Sequence, residues 1–179
     1  MKRTILLTFF AALAVMNVLC QETANNFRIV GNDVIWQKVY VTSMGPEQLC
    51  AKAKYSGLFD KLEKEENKIT GELKLLDADP LNNIPFSLGT LYITQNVFSG
   101  FVVIESKEGR YRVTLKRITL ISKSIDTSKY EPISFLKSIA LKSGKNEFTP
   151  SFTKNSQPLD EAFGVTFDFG RPDGIDDNW

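Results

Sequence analysis

The sequence contains no histidine. That absence removes Ser–His–Asp and Cys–His nucleophilic catalysis, and every zinc site that needs an imidazole. Cysteine is almost missing as well, with Cys20 and Cys50 alone. Neither sign of charge is in excess: 22 Lys and Arg face 21 Asp and Glu. A nucleic-acid binder neutralises phosphates with a surplus of bases, and this chain has almost none to spare. No nucleic-acid partner is therefore expected. A phosphate cradle is missing too, because "SGLFDK" and "KSGKN" lack the spaced glycines and the strand–loop–helix setting. No internal repeat is visible.

What is present begins with a leader. Lys2 and Arg3 precede an apolar stretch from Ile5 to Leu19, and the polar residues Gln21, Glu22 and Thr23 follow at once. This is the pattern of a secretory signal peptide over residues 1–20, and its apolar part is shorter than the roughly 20 residues of a spanning helix. Val18 and Cys20 suit the −3 and −1 positions, so cleavage is expected before Gln21. The alternative is a lipid anchor on Cys20, although Leu19 is larger than the residue that usually precedes such a cysteine. Cleavage takes Lys2 and Arg3 from the 22 basic residues and nothing from the 21 acidic ones, leaving a net charge of −1. The mature chain keeps one cysteine, so no internal disulfide is expected, and its stability must come from buried apolar side chains. Periplasmic or secreted material with no integral membrane segment is the expected product.

Along the mature chain, residues 21–29 read as a flexible N-terminal segment. A single domain is expected over 30–168, followed by an acidic disordered tail at 169–179. "DVIWQKVYVT", Asp33 to Thr42, is rich in β-branched and aromatic residues and reads as the first strand. Pro46 and Glu47 suit the start of a helix, with Leu49, Cys50 and Ala53 on one face. The pair Ser56-Gly57 weakens the pattern, and the helix is expected to resume through Leu58, Phe59 and Leu62. "KEENK" is a solvated charge run. Lys68 to Asp77 reads as the second strand, "ADPLNNIP" as a loop, and Phe86 to Gln95 as the third strand. A short helix or turn is expected at Ile133 to Ala140. "PLDEAFGVTFDF" reads as a helix opened by Pro158, with Phe163 and Phe167 turned inward.

The most regular stretch is "FSGFVVIESKEGRYRVTLKRITLI", Phe98 to Ile121. Glu108-Gly109 is a two-residue turn, which pairs Ser106 with Tyr111, Glu105 with Arg112, Ile104 with Val113, Val103 with Thr114 and Val102 with Leu115. Paired residues share a side. Tyr111, Val113, Leu115, Val102 and Ile104 then form a core face. Glu105, Arg110, Arg112, Thr114 and Lys116 fall on the other face, with Glu105 partly neutralising Arg112. Past Lys116 the apolar residues change parity, to Ile118 and Leu120, which calls for a bulge near Arg117.

These pieces describe an α+β fold: an antiparallel sheet of about five strands with helices packed on one face, in the order β-α-β-β-β-β-α. With a leader ending near "CQE", then "IWQKVYV", "KITGEL", "GRYRVTLKRITLI" and "LDEAFGVTFDF", the chain resembles the secreted bacterial domains of unknown function that carry a TATA-binding-protein-like (TBP-like) fold. The resemblance spans roughly residues 30–168. It departs at Ser56-Gly57, where one continuous helix would be expected. The family has no established activity, so the resemblance implies a fold and a compartment rather than a mechanism.

Few catalytic groups remain. Cys50 reads as a small buried hydrophobe on the apolar helix stripe. Ser122–Lys123 and Ser138–Lys142 supply the residue types for serine–lysine chemistry. Asp77 and Asp79, or Asp173, Asp176 and Asp177, lack the spacing of a calcium loop. No cofactor and no metal are expected. The reading that follows is a non-enzymatic envelope module that binds a protein, glycan or small ligand. Its site would be the exposed sheet face bearing Glu105, Arg110, Arg112, Thr114 and Lys116. The alternatives are a small hydrolase using carboxylates or Ser/Lys, and an assembly protein pairing through an edge strand.

Overall fold

A computed structural model describes residues 23–78, 91–123 and 132–171. The leader, the first half of the expected third strand, the connector at 124–131 and residues 172–179 lie outside the described residues. Eight strands form one antiparallel sheet. They are β1 (Thr23–Ala24), β2 (Phe27–Val30), β3 (Asp33–Val41), β4 (Phe59–Glu65), β5 (Lys68–Asp77), β6 (Asn96–Lys107), β7 (Arg110–Ser122) and β8 (Pro132–Phe135). Their spatial order is β1-β2-β3-β7-β6-β5-β4. The first half of β7 pairs with β3, and its second half pairs with β8 on the same flank. Among the described residues, five short helices accompany the sheet: α1 (Pro46–Tyr55), α2 (Leu91–Thr94), α3 (Leu136–Ala140), α4 (Pro150–Asn155) and α5 (Gln157–Thr166). No helix among the described residues is long and apolar enough to cross a membrane.

The α+β class and the antiparallel sheet agree with the sequence, but the strand count does not. Four of the eight strands, β1, β2, β4 and β8, come from segments not expected to be strand, while the expected third strand is not among them. Residues 23–29, expected to be flexible, instead supply β1 and most of β2, and Phe27 is fully buried. β4 occupies the segment expected to continue the first helix. That helix stops at Tyr55, where Ser56 donates its amide to the Lys52 carbonyl and Gly57 turns the chain back at φ 68°. Glycine takes that left-handed conformation without a Cβ clash, which makes it a helix terminator. Phe59 and Leu62 imitate helical spacing because they lie three apart. In the strand, a bulge at Lys61 (φ 50°) places both against the core.

Two further expectations need correction. Leu91–Thr94 is a helical turn, not strand. The Asn96 side chain donates to the Tyr92 carbonyl and the Thr94 hydroxyl to the Leu91 carbonyl, both closing the turn locally. Residues 132–135 are a strand rather than part of a helix or turn, and the helix begins only at Leu136.

The hairpin of β6 and β7 has the register read from its turn, residue for residue. The expected bulge lies at Arg117, whose φ is 50°, opposite Gly100. A Cβ at Gly100 would come within 2.8 Å of the Lys116 carbonyl oxygen, so no other residue fits there without movement. The extra residue restores Ile118 and Leu120 to the core face, where both are buried.

One core forms on that face. All five helices contribute to it: Leu49 and Ala53 from α1, Ile93 from α2, Leu136 and Ala140 from α3, Phe152 from α4, and Leu159 and Phe163 from α5. Phe163 is its hub, with ring centroids 5.6 Å from Trp36, 5.8 Å from Phe98 and 6.2 Å from Phe27. Each such ring contributes on the order of 1.5–3 kcal/mol through burial. Polar tethers fix the last helix over the sheet. Trp36 Nε1 donates to Asp160 Oδ1 at 2.6 Å, the Tyr40 hydroxyl to the Gly164 carbonyl at 2.9 Å, and the Tyr111 hydroxyl to the Phe167 carbonyl at 2.9 Å. Cys50 is half-buried and packs against this core.

Candidate functional site

The opposite face of the sheet carries no helix from this core, and strand pairing arranges it in rows. One row runs Val39, Arg112, Glu105, Lys68, Glu65 across β3, β7, β6, β5 and β4. Its charges alternate in sign. Arg112 Nη2 and Nε both donate to Glu105 Oε2, at 2.7 and 3.0 Å. The next row toward the hairpin turn runs Val41, Arg110, Lys107. It is wholly basic. Among the described residues, no carboxylate lies within ion-pair distance of Arg110 or Lys107.

The first row, with Arg110 and Lys107 of the second, lines an open cavity of about 800 Å³, together with Glu66 and Asn67 from the turn joining β4 to β5. The turn reaches the hairpin because the Ser106 amide donates to the Asn67 carbonyl at 2.8 Å. From the other side, the Thr42 amide donates to the Gly109 carbonyl at 3.0 Å, which fixes the end of β3 to the hairpin turn. Gly109 itself sits at φ 73°. The cavity is therefore built on the ends of β3, β4, β5, β6 and β7 and the turn joining β4 to β5.

Five residues of this face were singled out from the sequence. The structure brings Glu105, Arg110 and Arg112 together at the cavity. Thr114 shares their face but is only 3% exposed. Its hydroxyl accepts a hydrogen bond from the Gln37 amide at 3.0 Å, so it braces β7 against β3. Lys116 lies opposite Phe101, two residue pairs beyond Thr114's end of the row, and does not line the cavity. Lys107 was missed, although the hairpin register already placed it opposite Arg110. Lys68, Glu65 and Val39 arrive through β5, β4 and β3. That pairing is long-range and leaves no mark in the local pattern.

The serine–lysine candidates are engaged elsewhere. Lys123 Nζ is held by Asp77 at 2.6 Å and Lys142 Nζ by Glu147 at 2.8 Å, while the Ser138 hydroxyl donates to the Phe135 carbonyl. The hydrogen bond from Lys142 holds the Glu147 carboxyl below its ordinary range. Among the described residues no group of three or more His, Cys, Asp or Glu is placed to hold a metal ion. The strongest titration shifts lie in the core. Burial pushes the Tyr40 and Tyr111 hydroxyls far above the ordinary tyrosine range, and each raises further beside Asp168. Burial alone does the same to Tyr92.

The architecture thus defines an α+β domain with one face of its sheet given to the core and a charged cavity on the other. No protein-family model matches the sequence, and no curated protein matches it. Two solved structures are similar to it. One is a TBP-like protein from Parabacteroides distasonis, with a TM-score of 0.46 and 13% identity over 79% of this chain and 94% of that one. The other is a DUF4468 family protein from Bacteroides ovatus, with a TM-score of 0.46 and 14% identity over 81% of this chain and 91% of that one.

Proposed function

We propose that this chain is an exported, non-enzymatic module of the cell envelope that binds an acidic protein segment or ligand at the hairpin end of its open sheet face. The observation that carries the reading is the contrast between adjacent rows. Arg112 is satisfied by Glu105, whereas Arg110 and Lys107 face each other with no carboxylate partner among the described residues. Two like charges directly opposite each other on a sheet repel, and an incoming carboxylate removes that penalty. Val39 and Val41 supply an exposed apolar border beside them. Export rests on the leader at residues 1–20.

Hexaglutamate is a suitable probe. The chain should bind it, and binding should weaken as salt rises, because exposed charges are screened over about 8–10 Å. The double variant Lys107→Glu/Arg110→Glu should keep its fold and lose the probe. Equal binding by both proteins, or none by the unaltered chain, overturns the reading. Export is checked separately, by the mass of the N-terminus in fractionated cells. A protein beginning at Gln21 in the soluble envelope fraction is expected; an acylated Cys20 would replace it with a lipid-anchored form.

A reading through edge pairing has one observation of its own. Among the described residues β2 covers only Asp33 to Trp36 of β3, which leaves the Lys38–Val41 portion with a partner on one side alone. The opposite edge, β4, carries a bulge and alternating charges, both of which discourage pairing.

A further inference from the structure

β3 offers an open edge beside the basic row. The Gln37 amide donates to the Asn26 carbonyl at 2.9 Å, away from β7, whereas the Thr42 amide donates to the Gly109 carbonyl, toward the hairpin turn. Backbone groups alternate sides along a paired strand, so the amides and carbonyls of Val39 and Val41 point away from β7. Among the described residues none of these groups has a hydrogen-bond partner. The gap is bounded at both ends. Asn26 closes it beside Gln37, and at the far end a Cβ on Gly170 would lie 3.7 Å from the Val41 carbonyl oxygen. Between them a strand of four residues fits opposite Lys38–Val41, the length of β2 and of β8.

The side chains along this edge define what such a strand must carry. Val39 and Val41 face the open side of the sheet and are 54% and 89% exposed. Residues opposite them lie on the same side, where a β-branched residue suits Val39. Past Val41 in its row stands Arg110, two strand spacings or about 9.6 Å from the incoming backbone. A glutamate opposite Val41 extends toward it over the small valine. Lys38 shares the core side with Trp36 and Tyr40. Its Nζ lies 5.5 Å from the Tyr40 ring centroid and 2.7 Å from where a Cβ on Gly164 would stand. Among the described residues no carboxylate lies within ion-pair distance of it. A lysine turned inward at an edge opposes indiscriminate pairing. A carboxylate opposite Lys38 lifts that barrier, and an apolar or basic residue there does not.

We infer that the partner of this face is a protein segment that binds as an added strand on the Lys38–Val41 edge of β3, with carboxylates at the two ends of its contact and β-branched residues between them. Strand addition stands on the free backbone groups and on Lys38; the contact to Arg110 rests on the proposed function.

The probe is acetyl-Glu-Val-Val-Glu-amide, whose pattern is the same in either strand direction. Titrated into the full chain, it should move the Val39 and Val41 amide resonances to low field, as new hydrogen bonds do. The same peptide N-methylated at both valines keeps its charges but loses a donor to β3 in either direction. It should bind about ten-fold more weakly. Lys38→Gln in the protein should weaken the unmethylated peptide about three-fold. Equal binding of the two peptides, without shifts at Val39 and Val41, overturns strand addition and leaves the acidic-ligand reading standing. Methylation-sensitive binding that Lys107→Glu/Arg110→Glu leaves unchanged keeps strand addition and overturns the basic-row reading instead. Binding of neither peptide overturns strand addition, and hexaglutamate then decides the basic row by itself. Unchanged affinity in Lys38→Gln overturns the acidic pattern inferred for the strand. The peptide pair is compared on the unaltered chain, so it decides strand addition whatever a variant does to the fold.

Discussion

Val113 and Arg112 are neighbours in β7, yet they belong to different proteins in a physical sense. Val113 is fully buried in a core contributed by strands and helices along the described chain. Arg112 is exposed, and its ion pair among the described residues is with the residue facing it across the same hairpin. The core face is knit by long-range contacts, such as Trp36 to Asp160 and Tyr40 to Gly164. The open face is written in cross-strand rows of charge. A strand alternates sides at every residue, so one stretch of sequence serves stability and recognition at once. Substitutions on the two faces should therefore differ in kind as well as size.

The largest difference should come from Val113→Asp. It puts a carboxylate into the core with no partner, at a cost comparable to the whole stability of a domain, roughly 5–15 kcal/mol. Loss of the cooperative thermal transition is expected. A smaller effect is expected from Trp36→Phe, which keeps most of the ring packing but removes the donor to Asp160. Hydrogen bonds to charged groups contribute about 1.5–3 kcal/mol, and an unfolding free energy from denaturant titration lowered by that amount is the expected result. A fall well below 1 kcal/mol would mean that Asn26, which also donates to Asp160 at 2.8 Å, holds the helix alone.

Alkali sharpens the same contrast. Tyr40, Tyr92 and Tyr111 have hydroxyls raised by burial. Unfolded, each ionises near about 10. The folded state keeps its protons to higher pH, so these groups stabilise it fully below about pH 10 and lose that contribution as pH rises further. Tyrosinate absorbance from these three should appear together with unfolding rather than before it. At the small end lies Arg112→Ala. Its partly exposed pair with Glu105 contributes about 0.2–1 kcal/mol, and the melting temperature should barely move.

How much of this was legible depended on how local its cause was. The register of β6 and β7 follows from a two-residue turn and alternating side chains, and the parity change at Arg117 announced the bulge. Phe163 and Phe167 were readable because helical spacing put both inward. β4 was not readable as a strand, since a bulge at Lys61 makes its apolar residues look helical. β1 and β2 were hidden because "ETANNFRIV" is polar and short, and its burial is supplied by Phe152 and Phe163 far along the chain. The start of α4 was legible and overlooked: Thr149 caps it by accepting the Phe152 amide, and Pro150 takes the first turn. Of the candidate site, Arg110 and Arg112 came from the hairpin alone. Lys68 and Val39 came from strands whose pairing no local pattern shows, and the hydrogen bond to the Thr114 hydroxyl came from Gln37.

The most direct measurement of the division between the faces is a paired one on Lys107→Glu/Arg110→Glu. Its melting temperature and its affinity for hexaglutamate are measured beside those of the unaltered chain at low and high salt. The account predicts an unchanged melt with salt-sensitive probe binding present in the unaltered chain and absent from the variant. A variant that melts markedly lower, or that binds the probe as well as the unaltered chain, would contradict it.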